Sequence, residues 1–185
     1  MSRTRPRGVR FLPPAPDAVP CRTVLDSPLG ELVLTGDGRA LRRLDLWADT
    51  GPVPLAGRSG DVVLAAAVDQ LCAYFAGELT AFDLPIAPSG TDFQQRVWRR
   101  LAAIPYGETL TYGRIAADIG RPGAARAVGA AGGRTPVPII LPCHRVIAAS
   151  GALVRYGLGG VGAKRHLLDL ESGLVNAVPR AGRGR

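Results

Sequence analysis

No apolar run in the 185 residues is long enough for a membrane-spanning helix. Arginines stand near the N-terminus, but no apolar segment follows them, so no signal peptide is predicted and the expected place is the cytosol. Cysteine is scarce: Cys21, Cys72 and Cys143 are odd in number and widely spaced, which argues against a disulfide framework. Histidine is scarcer still, with only His144 and His166. No CxxC or HxxxH spacing exists, so no metal site is expected. No phosphate-binding glycine motif such as GxGxxG or a Walker loop is expected, and no organic cofactor is required.

What the chain does have is apolar content and positive charge. Apolar residues make up 46%, enough for a packed core, and the net charge is +8. The charge is unevenly placed. Residues 21–90 carry five arginines against nine acids, whereas residues 91–172 carry eleven bases against five acids. A basic second half beside an acidic first half points to a polyanion met by one part of the molecule only.

Turn signals and periodicity divide the chain. Residues 1–20, with five prolines among arginines, read as a disordered basic arm. Residues 21–88 read as a small α/β unit. Strands are expected at Arg22–Leu25, Glu31–Thr35 and Ala40–Leu46 in an antiparallel meander, with a loop over 47–60. A helix is expected over Asp61–Ala76, burying Leu64, Val68, Leu71, Cys72 and Phe75. Pro85 to Gly90 reads as a linker. Residues 91–173 are expected to be mostly helical, giving an α+β chain overall. Thr91-Asp92-Phe93-Gln94 is a capping box ahead of a helix burying Phe93, Val97, Leu101 and Ile104. Thr111 caps a short helix to Ile119, and a turn leads to a second over Gly123–Gly132, which reads as a helix-turn-helix. The last helix is placed at Gly162–Glu171, and 174–185 as a disordered basic tail.

The segment Pro136–Pro142 is apolar and stiffened by three prolines, so it fits neither a regular helix nor a central strand. It delivers the chain to Cys143-His144-Arg145. Three polar groups in succession after a hydrophobic lead-in are costly to bury unless paired. A free thiol of pKa ~8.5 is only slightly ionised at neutral pH, so a base or cation beside it would matter. His144 and Arg145 are the candidates. Adjacent side chains rarely face each other, so His144 is expected to reach Cys143 through a water, with Glu171 or Asp169 as the carboxylate that orients the ring.

Pro142-Cys143-His144-Arg145-Val146 resembles the active-site pentapeptide of the O(6)-alkylguanine-DNA alkyltransferases. Phe93–Trp98, Ile104–Glu108 with Thr111-Tyr112, Ala124–Gly129, and Lys164 with Leu167-Leu168 and Glu171 are similar to further motifs of that family, in order and near-normal spacing. The likeness covers roughly residues 21–173. It implies a ribonuclease-H-like scaffold ahead of the helical unit. It also implies irreversible transfer of an alkyl group from O6-alkylguanine in double-stranded DNA onto Cys143, once per molecule. His144 would then be the base through water and Glu171 its orienting carboxylate. Tyr112 would help turn the nucleotide out and donate to the departing guanine, at a cost of a few kcal/mol for extrusion. Arg126 would fill the vacated stack, with Thr111, Tyr112, Ala125 and Gly129 also meeting DNA. Tyr156, Gly157, Lys164, Thr135 and Val146 would wall the base pocket. Helix 123–132, nearly all Ala and Gly, is thin enough for close minor-groove approach. The resemblance implies a monomer with no membrane partner, and leaves cooperativity on DNA open.

Two positions depart from the family pattern. Thr135 stands where Asn is usual, with one hydroxyl in place of an amide. The stretch Tyr156–Gly160 is one residue longer than the family's pocket loop, and Arg155 stands where a small residue is common. The competing readings are a non-catalytic relative that flags alkylated DNA, a helix-turn-helix transcription factor and a thiol hydrolase. Cys143 argues against the first. The second would have only Arg126 on its reading helix. The third lacks an oxyanion motif and leaves the basic half unexplained.

Overall fold

The computed structural model describes residues 8–15, 17–50 and 61–174. Strands β1 (Arg10–Phe11), β2 (Cys21–Leu25), β3 (Leu32–Gly36) and β4 (Leu41–Leu46) lead to a short helix α1 (Trp47–Thr50), a longer helix α2 (Val62–Phe75) and strand β5 (Pro85–Ile86). The sheet order is β1-β5-β4-β3-β2, with β2, β3 and β4 antiparallel and β1 and β5 running parallel to their neighbours. Apolar content explains β3, buried at Leu32, Val33 and Leu34, while in β4 Leu41 and Leu44, three residues apart, are both buried beside a register irregularity at Thr35/Gly36. Asp61 caps α2 by accepting from Val63 and Leu64 amides. The buried face of α2 is Leu64, Ala67, Leu71, Tyr74 and Phe75; the expected Val68 and Cys72 lie at its margin, half-buried.

Three expectations for this half are corrected. Part of the arm expected to be disordered is a strand. Arg10 and Leu12 amides donate to Leu84 and Ile86 carbonyls at 2.9 and 2.8 Å, and the Arg99 guanidinium lies 4.5 Å over the Phe11 ring. The segment read as a linker starts as β5, with Ile86 wholly buried. Pro85 is tolerated there as the first residue of a two-residue strand. Trp47–Thr50 is helical rather than loop, and the rest of that predicted loop, like the predicted tail from 175 on, lies outside the described residues.

The second half holds α3 (Asp92–Ala102), β6 (Leu110–Thr111), α4 (Tyr112–Asp118), α5 (Ala125–Gly132), a 3-10 turn (Cys143–Arg145), β7 (Val146–Ile147) and α6 (Gly160–Glu171). The Thr91–Gln94 capping box is formed, and Val97, Trp98 and Leu101 give α3 its buried face. Trp98 donates from Nε1 to the Ala131 carbonyl at 3.0 Å, tying α3 to α5. Gly90 makes room for that indole: a Cβ there would come 2.4 Å from its ring. The Arg96 guanidinium donates to the Ile119 carbonyl at the end of α4, and Asp118 joins Arg100 to Arg114. Strands β6 and β7 pair in parallel, which fastens the residues after the 3-10 turn to the start of α4. Buried apolar residues of both halves form one continuous core. No helix among the described residues is long and apolar enough to cross a membrane.

Candidate active site

The proline-stiffened lead-in is locked from several sides. Val137, Ile139, Ile140 and Leu141 are buried, Leu141 N donates to Val137 O at 2.9 Å, and Leu44 N of β4 donates to Pro136 O at 2.9 Å. Ile139 has φ +73°, the left-handed region, and is the one such non-glycine residue among those described. For a β-branched residue this costs on the order of 1–3 kcal/mol, which the surrounding packing holds in place. The outcome is a chain reversal that begins the 3-10 turn at Cys143, with Arg145 N bonded to Pro142 O at 3.0 Å.

The turn sends His144 and Arg145 inward, onto Glu171 at the end of α6. The His144 Nε2 lies 2.7 Å from Glu171 Oε1, and Arg145 donates to both carboxylate oxygens from Nε (2.8 Å) and Nη2 (2.9 Å). Tyr74 OH adds a bond of 2.7 Å and Gly107 N one of 3.0 Å, so one buried carboxylate accepts five donors. Burial acts to raise the Glu171 pKa, but the His144 and Arg145 bonds outweigh it and hold the group at about 2. Burial lowers the pKa of His144, against the pull of Glu171, so the ring is neutral at physiological pH. With an ionised carboxylate opposite, Nε2 carries the proton and donates it, and Nδ1 is the basic nitrogen. Nδ1 is buried and has no hydrogen-bond partner among the described residues.

Of the candidates for acting on the thiol, Arg145 is committed elsewhere: besides Glu171 it donates from Nη1 to Ile104 O at 2.5 Å. The cation that acts on Cys143 is Lys164. Lys164 is buried, donates to Val146 O at 2.5 Å, and lies 5.9 Å from the Tyr112 ring centroid. Burial pushes the Cys143 thiol up to about 11, opposed by the Thr135 hydroxyl and then by Lys164. Asp169, the other candidate carboxylate, is only half-buried, and the orienting bond comes from Glu171.

Cys143 is 7% exposed and borders two spaces. On one side is a small cavity of about 10 Å³ bounded by Tyr112, Val128, Val146, Tyr156 and Gly157, room for one water and far less than a purine. Gly157 closes it against the end of α5; a Cβ there would come 3.0 Å from the Gly133 carbonyl. Tyr156 is buried with its ring edge-on to His144, centroids 6.3 Å apart, and its hydroxyl has no partner among the described residues. On the other side is a cleft of about 590 Å³, lined by Thr135, Pro138 and Leu158 and, from the sheet, by Arg43 to Leu46. The pocket expected to receive a purine is thus closed on the Tyr112–Tyr156 side. The stretch Gly157-Leu158-Gly159-Gly160-Val161-Gly162 does spell GxGxxG, which corrects the sequence reading. No strand leads directly into it, so it lacks the setting of a dinucleotide fingerprint; it forms the loop entering α6 and that helix's first turn.

The remaining predicted residues stand at the start of α4 and on α5. Thr111 caps α4, accepting from Arg114 N at 3.2 Å. Gly129 faces Tyr112, whose ring would lie 3.7 Å from a Cβ at that position. Ala125 is half-buried, and Arg126 is exposed with no ion pair among the described residues. Exposed Arg121 and Arg134 flank α5. Sequence reasoning missed Tyr74, Gly107 and Ile104, whose contacts with the network span 41 to 97 residues.

Comparison with known proteins gives the same answer over both halves. The family described as 6-O-methylguanine DNA methyltransferase, DNA binding domain, matches residues 92–173, and the 6-O-methylguanine DNA methyltransferase, ribonuclease-like domain, matches residues 21–88. Relatives named methylated-DNA--protein-cysteine methyltransferase include one from Mycobacterium tuberculosis, 55% identical over 80% of this chain and 89% of its own length. Another, from Methanosarcina acetivorans, is 47% identical over 80% and 96%. The crystal structure of Mycobacterium tuberculosis OGT in complex with DNA matches with a TM-score of 0.76 and 54% identity, covering 83% of this chain and 94% of that one.

Proposed function

The chain belongs to the 6-O-methylguanine DNA methyltransferase family, and on that premise we propose that Cys143 is the acceptor that takes the alkyl group from O6-alkylguanine. Its activity is that of a methylated-DNA--protein-cysteine methyltransferase, and DNA is its partner. The observation that carries the site assignment is the buried His144–Glu171 bond of 2.7 Å beside a cysteine that opens onto a cleft.

The chemistry runs as follows. A water between His144 Nδ1 and Cys143 passes the thiol proton to the ring, and the ionised Glu171 stabilises the imidazolium that results. Without such help about three thiols in ten thousand are ionised at pH 7.5, given a thiol near 11. The thiolate attacks the α-carbon of the alkyl group in line, the carbon–O6 bond breaks, and its electron pair leaves with guanine. Tyr112, against the sulfur side of the small cavity, donates to the departing base. The base takes up a proton as the imidazolium returns its own, so charge balances. A thioether at Cys143 has no leaving tendency, so each molecule acts once.

Binding uses the basic face. The pair α4 and α5 acts as a helix-turn-helix in the minor groove, where the Ala/Gly surface of α5 permits close approach and Arg126 fills the extruded nucleotide's place. Base entry on the Tyr112 side requires the Tyr156–Gly160 loop to part from Gly133, because the small cavity there holds no purine. The protein acts as a monomer in the cytoplasm on this reading. The assay is a duplex oligonucleotide carrying O6-methylguanine, digested after reaction and analysed as nucleosides. Guanine should be regenerated one for one with protein and not at all with Cys143→Ala; conversion by the Cys143→Ala protein would refute the assignment.

A further inference from the structure

From Ile119 to Leu168 the chain has no Asp or Glu, yet it carries seven bases there. Arg145 and Lys164 are buried and bonded within the site. Arg121, Arg126, Arg134, Arg155 and Arg165 are exposed. Of these five, only Arg155 borders the small cavity that Tyr112 and Cys143 also line. It stands where a small residue is common in the family, and its guanidinium has no ion pair or hydrogen bond among the described residues. Its backbone is held on both sides. Ahead of it, Gly151 N donates to Ala148 O at 2.9 Å and Ala148 N to Ala152 O at 3.1 Å, closing a turn. Behind it, Tyr156 is buried. A fixed main chain thus presents a free cation at the edge of the cavity.

Arg126, Gly129 and Gly133 share one face of α5 and its cap, at helical spacing. Tyr112 packs against Gly129, and Gly157 against Gly133. Arg126 and the loop that carries Arg155 therefore flank Tyr112 along that face, with about 10 Å of helix axis between Arg126 and Gly133. We propose that Arg155 is a second DNA-gripping arginine, which holds a phosphate of the extruded nucleotide at the mouth of the base pocket while Arg126 stands in the duplex. A phosphate is the group that fits. The O6 edge of guanine, which a guanidinium would otherwise read, has to face Cys143. As the base passes inward its phosphodiester stays at the rim, where a guanidinium fork can meet two of its oxygens. No carboxylate from the acid-free stretch competes for it. The loop that must part from Gly133 then brings its own contact to the nucleotide, and that contact offsets part of the cost of opening.

This deepens the proposed function and rests on its premise that a nucleotide is turned out towards Cys143; binding is measured apart from transfer so that the two can fail separately. The probes are a duplex oligonucleotide carrying one O6-methylguanine and the same duplex undamaged. Their affinities are read by fluorescence anisotropy over a salt series, in full-length protein with Cys143→Ala so that nothing reacts. Adding Arg155→Ala should weaken binding to the methylated duplex about tenfold, the value of one hydrogen bond to a charged group, and lower the slope of log K against log salt by about one. Binding to the undamaged duplex, which has no extruded nucleotide, should not change. Arg155→Lys restores the charge without the fork and should recover the slope. Arg155 is exposed and unpaired, so the melting temperature should stay the same in each variant. An unchanged affinity and slope for the methylated duplex in Arg155→Ala, equal losses on both duplexes, or a slope that Arg155→Lys fails to recover would overturn the grip. Should the binding pattern hold while protein with its natural Cys143 takes up no methyl group there, the grip stands and the acceptor assignment fails.

Discussion

Replacing Glu171 with Gln tests the buried network at its centre. The carboxylate accepts three donors on Oε1 (Tyr74, His144 and Arg145 Nη2) and two on Oε2 (Arg145 Nε and Gly107 N). An amide puts an NH₂ group where one oxygen was, so at least two donors face another donor whichever way it is turned. Arg145 also loses its counter-charge inside the protein. Breaking a buried ion pair in this way costs about 3–5 kcal/mol. In a domain of this size that is a fall of roughly 6–20 °C in melting temperature. The pH dependence should change as well. The folded Glu171 pKa lies below its unfolded value, so its contribution is fully present above pH ~4.5 and is lost as pH falls towards about 2. A pKa near 2 against ~4.5 unfolded is worth on the order of 3 kcal/mol, which the glutamine protein lacks at every pH. His144, also depressed on folding, adds a decline that starts below its ordinary value near 6.5 in both proteins. Urea denaturation from pH 7 to 3 measures both effects. A Glu171→Gln protein within 1 kcal/mol of the natural one at pH 7, or with the same acid limb, would refute the account of the network.

Three further outcomes follow from the same geometry. Tyr74→Phe removes one buried donor to Glu171 and should cost about 1–2 kcal/mol in denaturant titrations while leaving the Arg145 and His144 bonds in place. Gly90→Ala drives a methyl group into the Trp98 indole and should destabilise by about 1–3 kcal/mol, seen as a lower melting temperature with unchanged DNA affinity. Arg126→Ala should leave the melting temperature unchanged, weaken binding to duplex DNA, and reduce the slope of log K against log salt by about one if the guanidinium meets phosphate.

Local signals carried much of this fold into view. The Thr91–Gln94 capping box, the short apolar runs of β3 and β4, and the glycine and proline breaks were readable because each depends on neighbours within a few residues. The reactive string was readable because Cys143, His144 and Arg145 are adjacent. The partners that define the site were not, since Tyr74 and Gly107 reach Glu171 across 97 and 64 residues. Tyr74 was further disguised by its phenol, which took it off the expected apolar stripe while Cys72 was put on it. Strands β1, β5, β6 and β7 have two residues each, too few for any periodicity, and form because distant backbone offers them partners. One spelling went unseen in the sequence, the GxGxxG of Gly157–Gly162, and its setting gives it no dinucleotide-binding meaning. The closed state of the pocket depends on Gly157 meeting Gly133, a contact between two glycines that no composition rule announces.

The most direct test of the account is the mass of the protein after it has met an oligonucleotide containing O6-methylguanine. Peptide mapping should find one added methylene per chain, all of it on the peptide that holds Cys143, with Cys21 and Cys72 unmodified. A methyl group found on another residue, or methyl groups removed from DNA in excess of the protein with none retained on Cys143, would contradict it.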